Sequence, residues 1–551
     1  MNLSPSAHVD TFTRDNLPPA DQWPVLEFTL PELNYPDRLN AAKVLIDDAV
    51  EAHGPDRPAL HALGSPSWTY GELQKRANQV AQVLVEDLGV VPGNRVMLRA
   101  PNNQWLVACW LGVLKAGAVV VTIMPILRGK EVRQLVERTR PAVMLCDHRF
   151  LENLDEAPDD VELVAFGGDG PDDLIHRCAA KSGQFEAVET AADDVALLGA
   201  TSGTTGTPKI TMHFHRDILA NADTFSRHIL KPTSEDVFAG SPPLAFTFGL
   251  GGLVVFPLHV GASTLLTERN TPVELARLAH EHGVTVLFTA PTAYRAILKE
   301  GKGDLLTGLR VAVSAGEHLP KDTWQAVKDQ TGISLINGIG ATELLHVFIS
   351  APVEEIRPEA TGRPIPGFRA VILDAEDREA PDGEAGRLAV IGPTGCRYLD
   401  DPRQQNYVVN GWNVTGDTFR RDADGYYHYE ARTDGIIVSA GYNIGAPEVE
   451  SAVNQHADVL ECAVVGRPDP DRGAVVCAFV VLRDGAEGSD EKRREIQDFV
   501  KASVAPYKYP RDLRFVDELP RNPSGKLQHF VLRKQLAEEA GQAAADTHPA
   551  P

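Results

Sequence analysis

Thr201 to Lys209 reads TSGTTGTPK, a run that gathers hydroxyl side chains (Thr201, Ser202, Thr204, Thr205), two glycines (Gly203, Gly206) and a lysine. The glycines let the backbone turn sharply and approach a ligand closely, the hydroxyls supply donors, and Lys209 adds a mobile positive charge. Such a composition suits an anion, and a polyphosphate fits it. The apolar run Val195 to Leu198 just ahead reads as a buried strand, so the loop is delivered at the end of a rigid element. Only Thr204 and Thr205 separate Gly203 from Gly206. A Walker loop needs four residues there and a Ser or Thr after its lysine, so that fold is disfavoured. Taken alone the stretch could also be a flexible Gly/Ser/Thr connector, against which the lysine and the preceding strand both count.

Further short motifs follow in order: NGIGATE (Asn337 to Glu343), TGD (Thr415 to Asp417), RTD (Arg432 to Asp434) and PSGK (Pro523 to Lys526). With them the chain resembles the adenylate-forming superfamily of acyl-CoA synthetases, peptide-synthetase adenylation domains and luciferases. In SPPLAFTFGLGG (Ser241 to Gly252) and GIGATELLHVF (Gly338 to Phe348) it looks like aryl-CoA ligases of the benzoate and 2-aminobenzoate type. The resemblance runs from about Phe28 to about Leu536.

The resemblance implies two half-reactions: a carboxylate joins the α-phosphate of ATP with loss of pyrophosphate, and the acyl adenylate then passes to coenzyme A with loss of AMP. It implies that Thr201, Ser202, Gly203, Thr204, Thr205, Gly206 and Lys209 hold ATP together with Glu317, Asp417 as ribose ligand, and Arg432. Thr342 and Glu343 are implied as phosphate contact and Mg2+ ligand; magnesium takes one or two carboxylates plus phosphate oxygens and water. Lys526, on a loop that Pro520 and Pro523 keep irregular, is implied to bridge carboxylate and phosphate, offsetting their repulsion. Asp434 falls at the family's hinge, and Gly441 at a pantetheine tunnel where a missing side chain suits a narrow arm; Lys508 is a candidate for the CoA phosphates or simply part of a solvated face. Phe246, Phe248, Gly249, Ala315, Ile339 and His346 occupy positions that surround the ring in aryl-CoA ligases. Aromatic walls with small residues at the floor make a flat slot for a benzoate-sized acid. Ile339 stands where many relatives carry an aromatic residue, which puts adenine stacking in doubt. Phe246 and Phe248 could equally be ordinary core, and His346, on an expected helix, a satisfied buried imidazole. Acceptors other than CoA stay open: a carrier-protein phosphopantetheine, or no acceptor at all in a nucleotide sensor on the same scaffold. A luciferase-like oxygenase is disfavoured.

The elements that must position these residues alternate. Thr69 and Glu72 read as a capping box ahead of a helix with Leu73, Ala77, Val80 and Leu84 on one face, ended by Gly89. Strands are expected near Arg95 to Leu98, Ala118 to Thr122, Val143 to Cys146, Val284 to Thr289 and Arg310 to Ser314, with helices between, the pattern of a parallel doubly wound sheet. The expected fold is α/β: a large N-terminal domain (1–432) of doubly wound sheets with a small β-rich subdomain, a hinge (433–435), and a small mobile α+β lid domain (436–540). The first thirty-odd residues read as an extended surface arm and 541–551 as a disordered tail.

Composition bounds the rest. A chain of 551 residues exceeds one ordinary core. A net charge of −23 argues against nucleic acid or an anionic membrane as partner. Six scattered cysteines without a CxxC pair read as reduced thiols, and the N-terminus lacks the apolar core of a secretory signal, so a cytoplasmic setting is expected. Trp105 to Leu127, broken by Lys115 and Gly117, reads as helix then strand rather than a membrane span. A homodimer is left open.

Overall fold

A computed structural model describes residues 3–546 apart from 128, 155–160, 202–207, 433–435, 440–441, 470–472, 505–507 and 522–526. The expected capping box forms: the Thr69 hydroxyl accepts from the Glu72 amide, the Glu72 carboxylate accepts from the Thr69 amide, and the helix Tyr70–Gln82 buries Leu73, Ala77 and Val80. It packs on the helix Gln104–Lys115 at Gly112, where a Cβ would lie 2.8 Å from both the Ala77 carbonyl oxygen and Val80. After that helix comes the strand Val119–Ile123, and among the described residues no helix is long and apolar enough to cross a membrane.

Two sheets organise the N-terminal part. One has the order Glu162–Phe166, Val143–Asp147, Arg95–Arg99, Val119–Ile123, Val195–Thr201, Lys209–Phe214, parallel except for the last antiparallel pair. Val96 and Leu98 enter a central core while Met97 enters an outer one, so both faces are covered, as parallel sheets require. The other runs Arg363–Pro364, Val347–Ser350, Leu335–Gly340, Val311–Ser314, Val286–Thr289, Val237–Gly240, Ser263–Leu266, Pro58–Ala62, Trp68–Thr69. Its Val286 and Phe288 share the same central core, and its Leu287 faces a third. A smaller five-stranded sheet includes Ala385–Ile391, Trp412–Arg421 and Tyr427–Arg432.

The chain divides into two compact units, the first comprising 1–371, 389–415 and 425–427, the second 372–388, 416–424 and 428–551. In the second, Val459–Asp469 pairs antiparallel with Gly473–Leu482, which pairs parallel with Asp512–Phe515. The helices Ala446–Asn454 and Asp490–Ser503 supply Val449, Val453, Ile496 and Val500 to its own core.

Both ends of the chain depart from expectation. The N-terminal arm is pinned rather than draped: Ser6 and the Ala7 amide donate to Asp194, the Val9 and Asp10 amides to the Pro92 carbonyl, and His8 and Thr13 are buried. Buried carboxylates and strand-end carbonyls offer acceptors that a proline-rich segment can reach without regular structure. The last helix runs His529–Asp546, into the stretch expected to be disordered, since alanine and glutamate carry high helix propensity.

Candidate active site

In open α/β sheets, ligands bind outside the carboxyl ends of the strands, and the motifs lie there. SPPLAFTFG follows Val237–Gly240, Ala315 and Glu317 follow Val311–Ser314, and Thr342 and Glu343 follow Leu335–Gly340. The phosphate loop joins Val195–Thr201 to Lys209–Phe214, and Thr201 pairs with Lys209 across its neck. Lys209 is thus the first residue of a strand, its backbone held at the neck. Ser202, Gly203, Thr204, Thr205 and Gly206 lie outside the described residues, as do Asp434, Gly441 and Lys526. The Thr201 hydroxyl is buried with no hydrogen-bond partner among the described residues. Gly199 is required one turn of the strand earlier, because a Cβ there would sit 2.8 Å from the Thr211 hydroxyl and 3.1 Å from the Thr342 methyl.

Lys209 and Glu343 meet through a third residue absent from the sequence reading. The Lys209 ammonium donates to the Tyr398 hydroxyl at 3.0 Å, and that hydroxyl donates to Glu343 Oε1 at 2.5 Å, whereas ammonium and carboxylate stand 3.9 Å apart. Glu343 is only 8% exposed. Burial, and then the neighbouring Glu343 carboxylate, push the Tyr398 phenol far above its ordinary range, so it keeps its proton and can only donate toward Glu343. The lysine also lies against the rings of Tyr398 and Tyr407, 4.9 and 5.9 Å from their centroids. As a donor for magnesium, Glu343 fits: it is a hard oxygen ligand beside Lys209, with Oε1 held by a neutral hydroxyl.

Past Glu343 the chain does not continue as the expected helix. Thr342–Leu344 is a single tight turn, Leu345 takes φ +71°, and the strand Val347–Ser350 begins two residues later. A left-handed backbone is costly for a leucine and, where it persists, is held by its surroundings; here it turns His346 away from Glu343. The imidazole is 4% exposed and packs among Phe225, Phe248 and Phe256 at centroid distances of 5.3, 5.8 and 4.7 Å. Burial lowers its pKa to about 3, against a smaller opposing effect of the Phe248 backbone, and among the described residues neither buried ring nitrogen makes a hydrogen bond of good geometry. Gly251 and Gly252 make room: a Cβ on Gly251 would lie 2.5 Å from the imidazole, and one on Gly252 2.6 Å from the Phe288 ring.

Phe246, with Thr342, Gly199, Ala200, Leu250 and others, lines a crevice with roughly 310 Å³ of non-atom space including that open to solvent. Phe248 packs on Phe288 at 5.4 Å as well as on His346. Gly249 answers to a backbone demand, since a Cβ would lie 2.2 Å from the Pro243 carbonyl oxygen. Ala315 is buried, Ile339 is half-buried and pairs with Ile349, and Glu317 follows Gly316 at φ +87°.

In the second unit, Asp417 is buried within the strand Trp412–Arg421, not in the turn expected from its Gly-Asp pair; Gly416, at φ +76°, distorts the strand without ending it. Arg432 ends the strand Tyr427–Arg432. Lys508 is paired with Glu448 at 2.6 Å. Tyr398, Phe225, Phe256, Phe288 and the Leu345 kink were not legible as site features; only the adjacent Gly251 and Gly252 in an apolar helical run hinted at rings packed close by.

Residues 46–397 match the family model described as AMP-binding enzyme, and 448–526 the AMP-binding enzyme C-terminal domain. A benzoate–CoA ligase of Thauera aromatica is 34% identical over 519 residues, spanning 92% of this chain and 98% of its own. A 3-hydroxybenzoate–CoA ligase of Aromatoleum sp. (strain CIB) is 30% identical over 513 residues, spanning 90% and 97%. Among solved structures, the anthranilate CoA ligase AuaEII in complex with anthranoyl-AMP matches with a TM-score of 0.86 at 31% identity, over 93% of this chain and 100% of that one. With family models matching 46–397 and 448–526 and a relative 34% identical over 92% of its length, the chain belongs to the AMP-binding enzyme family of adenylate-forming proteins and is an AMP-forming acid–thiol ligase.

Proposed function

We propose that the protein activates an aromatic carboxylic acid with ATP and transfers it to coenzyme A, with 2-aminobenzoate as the preferred acid and benzoate or salicylate next. The observation that carries this reading is the single short turn that carries Glu343 on its phosphate side and His346 on its aromatic side. A carboxylate oxygen of the acid attacks the α-phosphorus of ATP and pyrophosphate leaves; the CoA thiolate then attacks the acyl carbon and AMP leaves. Lys209, Thr201 and Thr342 with the residues of 202–206 bind the phosphates, Glu317, Asp417 and Arg432 the nucleoside side, and Lys526 brings the two anions together before the lid turns at Asp434. Catalysis of this kind is positioning and charge neutralisation. A magnesium ion held by Glu343 would neutralise phosphate charge when bound. CoA would pass Gly441, with Lys508 near its phosphates in exchange for Glu448.

The preference for an ortho-amino group rests on His346. A neutral imidazole carries one donor and one acceptor nitrogen, and with neither paired in good geometry among the described residues, its lone pair is open to an ortho-amino donor. Phe246, Phe248, Gly249, Ala315 and Ile339 would complete the slot, and the structural likeness to a ligase solved with anthranoyl-AMP supports the same choice. Six buried, unbridged cysteines agree with a cytoplasmic enzyme.

The test is kcat/KM over substituted benzoates with ATP and free CoA. Thioester from CoA alone, fastest with 2-aminobenzoate, is expected. Product only on a carrier protein would overturn the acceptor. Failure to exchange labelled pyrophosphate into ATP with any aromatic acid would sink the whole reading.

A further inference from the structure

Tyr398 reaches the site on a segment built to hold it. The Met212 amide donates to the Arg397 carbonyl at 2.7 Å and the Leu399 amide to the Ile210 carbonyl at 2.8 Å, so 397–399 runs as an extra partner of the Lys209–Phe214 strand. Alternation along that segment sends Arg397 to one side and Tyr398 to the other. Arg397, fully buried, is ion-paired to Asp217 and stacks 3.9 Å from the Phe214 ring centroid. The buried Gln404 fixes the backbone, its Oε1 accepting from the Tyr398 amide at 2.9 Å and its Nε2 donating to the Cys396 carbonyl at 3.1 Å. The phenol is therefore aimed between Lys209 and Glu343 by main-chain bonds and a buried charge pair, not by chance contact.

An ammonium and a carboxylate this close in a partly dry site would collapse into a direct pair, which would occupy both the charge meant for phosphate and the oxygen meant for a cation. A neutral hydroxyl between them accepts from one and donates to the other, so each stays oriented while neither is consumed. We propose that Tyr398 is a positioning residue of the adenylation half-reaction: it keeps Lys209 and Glu343 as a hydroxyl-bridged pair, so that Glu343 presents its other oxygen to the divalent cation and Lys209 remains exchangeable for phosphate. This rests on the reading of Glu343 as the cation ligand.

The experiment uses the full-length enzyme and Tyr398→Phe, which keeps the ring packed on Tyr407 at 5.9 Å. Mn2+ binding is followed by electron paramagnetic resonance in the presence of a non-hydrolysable ATP analogue, and the Mg2+ half-saturation of pyrophosphate exchange is titrated alongside. Loss of a hydrogen bond to a charged group predicts about tenfold weaker Mn2+ binding and a similar rise in Mg2+ half-saturation. Thioester formation from supplied aryl adenylate should stay within about twofold, because that half-reaction does not use the pair. Unchanged Mn2+ affinity, or equal loss in both half-reactions, overturns the proposal. Glu343→Gln separates the two levels. If it weakens Mn2+ binding and Tyr398→Phe does not, the proposal fails alone; if Glu343→Gln leaves Mn2+ binding untouched, the assignment of Glu343 fails and takes the proposal with it.

Discussion

The two sides of the turn from Thr342 to His346 handle buried polarity in opposite ways. On the Glu343 side, Lys209, Tyr398 and Glu343 form a chain of donors and acceptors, backed by the buried Arg397–Asp217 pair. On the aryl side a lone imidazole is surrounded by phenyl rings, and its burial is met by loss of charge, with a pKa lowered to about 3. Under the proposed function, the difference teaches how one loop would serve two ligands of unlike chemistry. On that reading, charge is retained where a charged ligand would replace the existing partners, and removed where the ligand would be largely apolar.

The comparison breaks most visibly at its polar foundation. Arg397→Met leaves the Asp217 carboxylate buried and without its guanidinium, which predicts a loss of about 3–5 kcal/mol of unfolding free energy, read from denaturant unfolding. A loss below roughly 1 kcal/mol would show that the charge there is already neutralised by protonation. The aryl side is probed by Gly251→Ala, whose methyl would lie 2.5 Å from the imidazole. Overpacking at that contact predicts about a tenfold fall in kcat/KM for the aromatic acid, with KM for ATP unchanged; a change confined to ATP would reverse the assignment of the two sides.

A third expected effect is on pH dependence, and it sharpens the point that both sides depend on neutral imidazoles. His213, beside the phosphate side, and His215 also have pKa values lowered to about 3, chiefly by burial. The Thr211 hydroxyl donates to the Gly199 carbonyl, so His213 must donate to it from Nε2. A histidine whose folded pKa is depressed stabilises fully above its unfolded value near 6.5. That contribution is lost as pH falls from there toward 3, because only the unfolded chain takes up protons. Each of the three should therefore remove about 1.4 kcal/mol per pH unit below about 6.5. Urea midpoints at pH 7.5 and 5.5 measure this, and His346→Phe should abolish one share of the slope.

Much of the fold was legible because its signals are local. The capping box at Thr69 and Glu72, the strand ahead of the phosphate loop and the helix-then-strand reading of Trp105 to Leu127 each depend on residues a few positions apart, and each formed. The failures were also local in origin. His346 was expected on a helix because its spacing from Glu343 permits one; instead Leu345 takes a positive φ two residues before the strand Val347–Ser350, and no residue type announces it. Gly416 and Asp417 were expected in a turn because that pair favours one, yet flanking strand residues overrode the preference.

The sequence by itself determined which chemistry is available: hydroxyls, glycines and a lysine after an apolar strand, an acidic turn, and aromatic residues beside paired glycines, all set by side-chain type and short spacing. Tertiary structure alone decided that Tyr398, 189 residues from Lys209 and 55 from Glu343, would stand between them. Propensity and periodicity act over a few residues, whereas the meeting of distant side chains follows from which strands lie side by side, a choice made by the packing of the whole unit.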